Sequence, residues 1–252
     1  MTWLLYDGSF EGFLTTVLET YEYRWADPRI RKTGTSIPQL FSETKTIATN
    51  EEKARRVWQK LLTLLGASGV RTLWVSWLGE AETIEDTILE VVRYAIESGQ
   101  NVLKDYGNLH VLNVQQTVKS VGREKHRMEA FVRFQLTKDD LYCSIIAPDF
   151  NVLPLILPHF RDRYADQRWF IFDSRRNYGI YYDLHTAELV DFIPNGMLSA
   201  NGIAPEAFGE QEAHFQKLWS SYFKSTNITG RKNTKLHVQH VPKRYWKYLI
   251  EK

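Results

Sequence analysis

The chain has 252 residues, 43% hydrophobic and 25% charged, which is ordinary for a folded globular protein and excludes a disordered chain, a fibrous repeat and a disulfide scaffold. Its apolar runs are too short to span a bilayer. The opening MTWLLYDGSF lacks a basic leader and has Asp7 in its apolar stretch, so neither a signal peptide nor a membrane partner is expected, and a cytoplasmic protein fits. A single cysteine, Cys143, allows no internal disulfide and no multi-cysteine zinc or iron–sulfur site. The net charge is +2, but residues 1–118 carry 12 Lys and Arg against 15 Asp and Glu, and residues 119–252 carry 20 against 15. An acidic half and a basic half point to different surfaces for different partners.

The opening reads as strand, turn and helix. Trp3 to Tyr6 is apolar, Asp7-Gly8-Ser9 is turn chemistry, and Phe10, Phe13, Leu14, Val17, Leu18 and Tyr21 share one helical face. Residues 24–49 read as loop with one short strand. Asn50 is placed to cap a helix that runs to Leu65 and stops at Gly66. Thr83 and Asp86 resemble a capping box opening a helix through Ile84, Ile88, Val92 and Ile96. Gly99 is expected to kink this helix and Gly107-Asn108 to end it. A further helical stripe follows at Val111, Val114, Val118 and Val121.

The period then changes. Ala130, Val132, Phe134 and Leu136 alternate with polar residues, with Phe131 an exception, which predicts a strand over 128–136. A turn at 137–140 and a second strand at 141–147 complete a hairpin. Residues 151–164 read as a helix with Pro154 in its first turn and Pro158 bending it. A second hairpin, 168–173 with 178–183, turns at Ser174-Arg175-Arg176-Asn177, and 189–193 adds a strand. Phe215, Leu218, Trp219, Tyr222 and Phe223 define a helix face, and Pro242 opens a last short helix. The class is α+β: a helical and strand-turn-helix region, 1–80, then a basic domain, 81–252. In the latter a mostly antiparallel sheet, strand-strand-helix-strand-strand, is flanked by helices.

Nucleotide-binding glycine loops and a nucleophile elbow are absent from the sequence. His237 and His240 have metal-like spacing, but no cysteine or carboxylate beside them completes a site, and no metal is expected. Glu80, Glu82, Glu85 and Asp86 crowd a helix start, where the macrodipole favours them. Cys143, in mid-strand, reads as a buried, inert thiol.

What stands out is basic and aromatic. Four clusters carry it: Gly122-Arg123-Glu124-Lys125-His126-Arg127, leading to Arg133; His159-Phe160-Arg161-Asp162-Arg163-Tyr164; Asp173-Ser174-Arg175-Arg176-Asn177-Tyr178-Gly179; and a tail with Arg231, Lys232, Lys243, Arg244, Tyr245 and Trp246. Guanidinium and ammonium groups take phosphates and aromatic faces take unstacked bases, so the pattern points to nucleic acid. The competing explanations are solvated hairpin tips and aromatics docked on the core.

The stretches YDGSFEGFLTTVLETYE, REKHRMEAFVRF, APDFNVLPLILPHFRDR, WFIFDSRRNYG and the tail FQKLWSSYFKSTNITGRKN with VPKRYWKYLIE together resemble a bacterial family linked to DNA repair or DNA metabolism and usually encoded beside a radical-SAM protein. The region from about Ile84 to Leu249 is similar to a domain of unknown function that also occurs fused to uracil-DNA glycosylase-like domains. The resemblance implies a DNA-binding accessory protein. The iron–sulfur cluster and S-adenosylmethionine would belong to the radical-SAM partner, and this chain would carry no cofactor. It supplies no catalytic residues.

Three readings follow. In the first, Arg127, Arg133, Arg163, Arg175, Arg176, Arg231, Lys232, Lys243, Arg244, Tyr245 and Trp246 hold DNA, and the acidic half docks the partner. In the second, the chain is an enzyme acting on a base or backbone, with His126 or His159 as acid or base, oriented by Asp173. In the third, it is an interaction scaffold with no nucleic-acid role. The first reading places His159, Arg163, Arg176 and Tyr245 around one concave surface.

Overall fold

The computed structural model describes residues 1–25, 27–36, 43–191 and 242–249, with residues 198–199, 202–203, 209, 212 and 217 between them. The chain divides into two compact units, Met1–Gly122 and Arg123–Lys252.

In the first unit, strand β1 (Thr2–Tyr6) is central to a parallel sheet, flanked by β2 (Pro28–Lys32) and β3 (Glu43–Thr46). Leu4, Tyr6 and Ile30 are fully buried. Ser9 caps α1 (Phe10–Glu22) by accepting from the Gly12 N–H at 2.9 Å. Phe10, Phe13, Leu14 and Val17 form the buried stripe expected of α1. Asn50 caps α2 (Glu51–Trp77) as expected. Gly66 (φ 73°, ψ 172°) interrupts that helix rather than ending it, and the chain resumes helical winding to Trp77. Only the glycine leaves helical geometry, and Val70 and Leu73 beyond it return to the core.

Helix α3 (Ile84–Ser98) starts without a capping box. Thr83 makes no side-chain cap, and Asp86 is turned to β2. Its carboxylate accepts from the Ile30 N–H at 2.9 Å and from Arg31 at 2.8 Å. Glu85 accepts the Tyr6 hydroxyl at 2.9 Å, and that hydroxyl accepts the Trp77 indole N–H at 2.9 Å. The acidic helix start is therefore a lock between sheet and helices. Gly99, at φ 64°, is the left-handed C-cap of α3 and ends the helix there.

Helix α4 (Leu109–Phe131) begins in the first unit and ends in the second. It corrects the strand expected over 128–136. Val121 and Met128 are buried seven apart on α4, Val132 follows its last turn with its N–H on the Met128 carbonyl, and the strand of this stretch is the short β4 (Gln135–Leu136). The alternation of Ala130, Val132 and Phe134 was a short coincidence of two periods, and Phe131 already broke it.

The second unit is built on a five-stranded sheet in the order β4-β5-β6-β7-β8. Strands β5 (Tyr142–Ile146) and β6 (Trp169–Asp173) run parallel, joined by α5 (Leu153–Arg163). Every other pair, including β6 with β7 (Tyr178–Tyr182) and β7 with β8 (Ala187–Val190), is antiparallel. This is the α+β arrangement expected, a mostly antiparallel sheet with helices against it. On one face Trp169 stacks on Tyr182 with ring centroids 5.4 Å apart, and both Trp169 and Phe134 meet Phe160 of α5 edge-on. On the other face lie Cys143, Phe170 and Phe172. Gly179 of β7 leaves room for the Phe170 ring, since a β-carbon there would sit 2.5 Å from that ring. Residues 243–248 form a 3₁₀ helix with Pro242 at its cap.

Candidate functional site

Three sequence-distant clusters of the second unit meet around Asp149, in the segment between β5 and α5. The first contribution is the last turns of α4. At about 100° per residue, Glu124, Arg127, Met128 and Phe131 share one face of this helix. The second is the β6–β7 turn. Asp173, fully buried, accepts from the N–H groups of Arg175 (2.9 Å) and Arg176 (3.3 Å). It also takes the Arg176 guanidinium at 2.8 Å. Asn177, at φ 57°, closes the turn, a left-handed position that Asn tolerates. The third is the 3₁₀ helix, which brings Arg244 and Tyr245.

The base of the site is Glu124, whose side chain is 1% exposed. One carboxylate oxygen accepts the Asp149 N–H at 3.0 Å. The other accepts the Tyr245 hydroxyl at 2.5 Å and Arg244 Nη2 at 2.8 Å, with Arg127 3.7 Å away. The Arg244 guanidinium also contacts the Tyr245 hydroxyl. Arg176 reaches from the turn to the carbonyls of Pro148 and Asp149, both at 3.1 Å. Above this floor the Asp149 carboxylate takes Arg175 on one oxygen at 3.2 Å and Arg244 on the other at 2.7 Å. Tyr178 donates to the Asn151 side chain beside it. Burial pushes the Tyr245 phenol well above its ordinary value, and the hydrogen bond to Glu124 adds to this. Burial alone would lower Arg244, but the Tyr245 hydroxyl and the Glu124 and Asp149 carboxylates outweigh it and hold the guanidinium above its usual range.

The expected site residues divide accordingly. Arg127, Arg175, Arg176, Arg244 and Tyr245 converge. Tyr245 is 2% exposed, with its hydroxyl committed, so it anchors the 3₁₀ helix and offers no face to a base. Lys243 is exposed, its ammonium 6.0 Å from the half-buried Trp246 ring. Arg133 donates to the carbonyls of Ala130 and Val132 at the end of α4. Arg163 is exposed at the end of α5, over the Tyr164 ring. His126 is exposed on α4. His159 lies 4.0 Å from Glu129, whose carboxylate holds Lys125 at 2.6 Å. Lys125 and Glu129 lie about 100–140° round α4 from Glu124, so His159 faces a different side of the helix from the arginine cluster. Among the described residues no hydrogen bond or ion pair joins His159 or His126 to Asp173. Arg231, Lys232, His237 and His240, and the helix face expected from Phe215 to Phe223, lie outside the described residues.

Glu124, Asp149 and Asn151 were not singled out from the sequence. Glu124 sits inside the first basic cluster, where an embedded acid is a signal, whereas Asp149 and Asn151 lie outside all four clusters, in the stretch APDFNVLPLILPHFRDR. No group of three His, Cys, Asp or Glu side chains among the described residues is arranged to hold a metal. No described helix is long and apolar enough to cross a membrane.

Residues 82–251, two thirds of the chain, match the family model of a domain of unknown function, DUF4130. The chain belongs to the DUF4130 family. The DUF4130 segment starts just before α3 and takes in every residue of the Asp149 cluster. No curated protein matches the chain.

Proposed function

We propose that this DUF4130 protein is a DNA-binding accessory protein whose second unit holds phosphate groups at the Arg127–Arg175–Arg244 cluster. The observation that carries the reading is the convergence of arginines from α4, the β6–β7 turn and the 3₁₀ helix, with Arg127 and Arg244 set on the buried Glu124 carboxylate and the main chain of Arg175 held by the buried Asp173. Arginines held in place by buried acids lose little side-chain freedom on meeting an anion, and planar guanidinium groups match phosphate geometry. Lys243 and Trp246 extend the same segment with a further cation and a ring. Arg176 serves inside the protein, as its carbonyl and carboxylate partners indicate.

The acidic first half would dock a radical-SAM partner, which would carry the iron–sulfur cluster and S-adenosylmethionine. Salt titration of DNA binding tests the first part. Each phosphate contact adds about 0.7–0.9 to the slope of log K against log salt, so Arg175→Ala should lower that slope by about one. Affinity that stays flat with salt refutes the reading. Co-purification with the radical-SAM protein, lost when the exposed acids Glu52, Glu82 and Glu97 of the first half are changed to Lys, tests the second part.

A further inference from the structure

The Asp149 side chain sits where the proposed function would place a phosphate. Its carboxylate is bound by Arg175 from the β6–β7 turn and Arg244 from the 3₁₀ helix, one on each oxygen. The side chains are 40%, 57% and 42% exposed, respectively. The structural work of this residue is done by its main chain. The N–H binds Glu124 and the carbonyl holds Arg176. A half-exposed ion pair adds little stability, so the carboxylate is separable from the fold. Its direct effect is to occupy both guanidinium groups. Among the described residues, the other carboxylate that Arg127 and Arg244 meet is Glu124, which is already enclosed.

We infer that the Asp149 carboxylate is an internal competitor for a phosphate oxyanion, and that a phosphoryl group binds by displacing it from the Arg175–Arg244 fork. The inference rests on the phosphate-binding reading and adds the atoms that receive the ligand and the group that holds them closed. The phosphate could belong to a nucleic-acid backbone or to a free phosphate or mononucleotide, which present the same tetrahedral oxyanion to the fork.

The experiment compares the full-length wild type with Asp149→Asn, Asp149→Ala, Arg175→Ala and the double variant Asp149→Ala/Arg175→Ala. Asp162→Asn serves as control, since it removes an equal charge from an exposed carboxylate paired with Arg161. The probes are inorganic phosphate, a mononucleotide and a short single-stranded oligonucleotide, each at constant low salt, with thermal melting to report folding. Asp149→Ala should tighten binding about fivefold beyond the Asp162→Asn control, the size expected for releasing two partly exposed ion pairs. Asp149→Asn should tighten it less, because its amide oxygen can still accept from one arginine. The gain should vanish in the double variant.

Equal binding by the Asp149 variants and the control overturns the inference. If that happens while the oligonucleotide still binds with salt dependence, the phosphate-binding reading stands and only the fork fails. If no protein binds the oligonucleotide but Asp149→Ala binds phosphate or the mononucleotide more tightly, the fork stands and the nucleic-acid reading fails.

Discussion

Glu124→Ala removes one carboxylate and unseats three donors. Arg244 is 42% exposed and keeps Asp149 and water, so its loss is small. The Tyr245 hydroxyl is different. Its residue is 2% exposed, and the remaining neighbour, the Arg244 guanidinium, is itself a donor. The part-buried Asp149 N–H also loses its acceptor. A buried donor left without an acceptor costs about 1–3 kcal/mol, so the two together place the destabilisation of Glu124→Ala at about 2–6 kcal/mol. Glu124→Gln retains an amide oxygen for the Asp149 N–H but presents an amino group to Arg244. The Tyr245 hydroxyl can rotate to accept from that group, and the cost should fall to about 1–2 kcal/mol.

Equilibrium urea unfolding of the full chain reads the global effect. Because the chain has two compact units, a single two-state transition is not assured, and hydrogen exchange supplies the local reading. The Tyr245 and Leu249 amides donate to the Pro242 and Trp246 carbonyls within the 3₁₀ segment. Once Glu124 no longer holds Tyr245, they should exchange faster, ahead of the amides of β6. Unchanged exchange at both positions, together with a loss below about 1 kcal/mol, would show that the segment is held by its apolar contacts, such as Phe131 against Tyr245, and not by the buried carboxylate.

Gly179→Ala should lower stability by about 1–3 kcal/mol, the cost of forcing an extra carbon into a packed core, because its β-carbon would fall 2.5 Å from the Phe170 ring and 2.8 Å from the Ile171 carbonyl. Urea midpoints check this, and Phe170→Leu in the same chain should recover part of the loss. Burial raises the Glu85 carboxyl above its ordinary 4.5. Its contribution to stability is therefore complete below 4.5 and is lost as pH rises through the folded value. Glu85→Gln keeps an acceptor for Tyr6 and does not titrate, so it should gain on wild type as melts move from about pH 4 to about pH 8; a wild type that gains instead refutes the burial argument. The Cys143 thiol is pushed up to about 12 by burial, so alkylation near neutral pH should follow unfolding, and rapid labelling of the native protein would contradict its place in the sheet.

The elements with one dominant local signal were legible in the sequence. The helix stripes of α1 and α3, the Asn50 cap and the strand-strand-helix-strand-strand order are each set by residues close in the chain. Elsewhere a second period or a distant partner decides the outcome. Residues 128–132 fit both an alternating and a helical pattern over so short a span. Burial of Met128 in line with Val121 on α4, with the Val132 N–H closing on the Met128 carbonyl, makes 128–131 helix. Asp86 follows Thr83 at capping-box spacing, but Ile30 and Arg31, more than 50 residues away, offer it better-placed donors.

The same logic governs the candidate site. Sequence shows which residues are basic; it does not show which acids fold against them. Tyr245 and Glu124 are 121 residues apart and share a 2.5 Å hydrogen bond, a pairing no local window contains. The arginines of the SRR turn look alike in the chain, yet the structure separates them. Arg176 is drawn in by the buried Asp173 and two carbonyls, whereas among the described residues the Arg175 guanidinium reaches the half-exposed Asp149. A buried acid and two carbonyls thus make Arg176 internal, whereas Arg244 touches the buried Glu124 with one nitrogen and keeps the other on the half-exposed Asp149, from which it can be offered to an anion. This sorting leaves Arg175 and Arg244, rather than Arg176 or a histidine pair, as the groups on which a phosphate would first land.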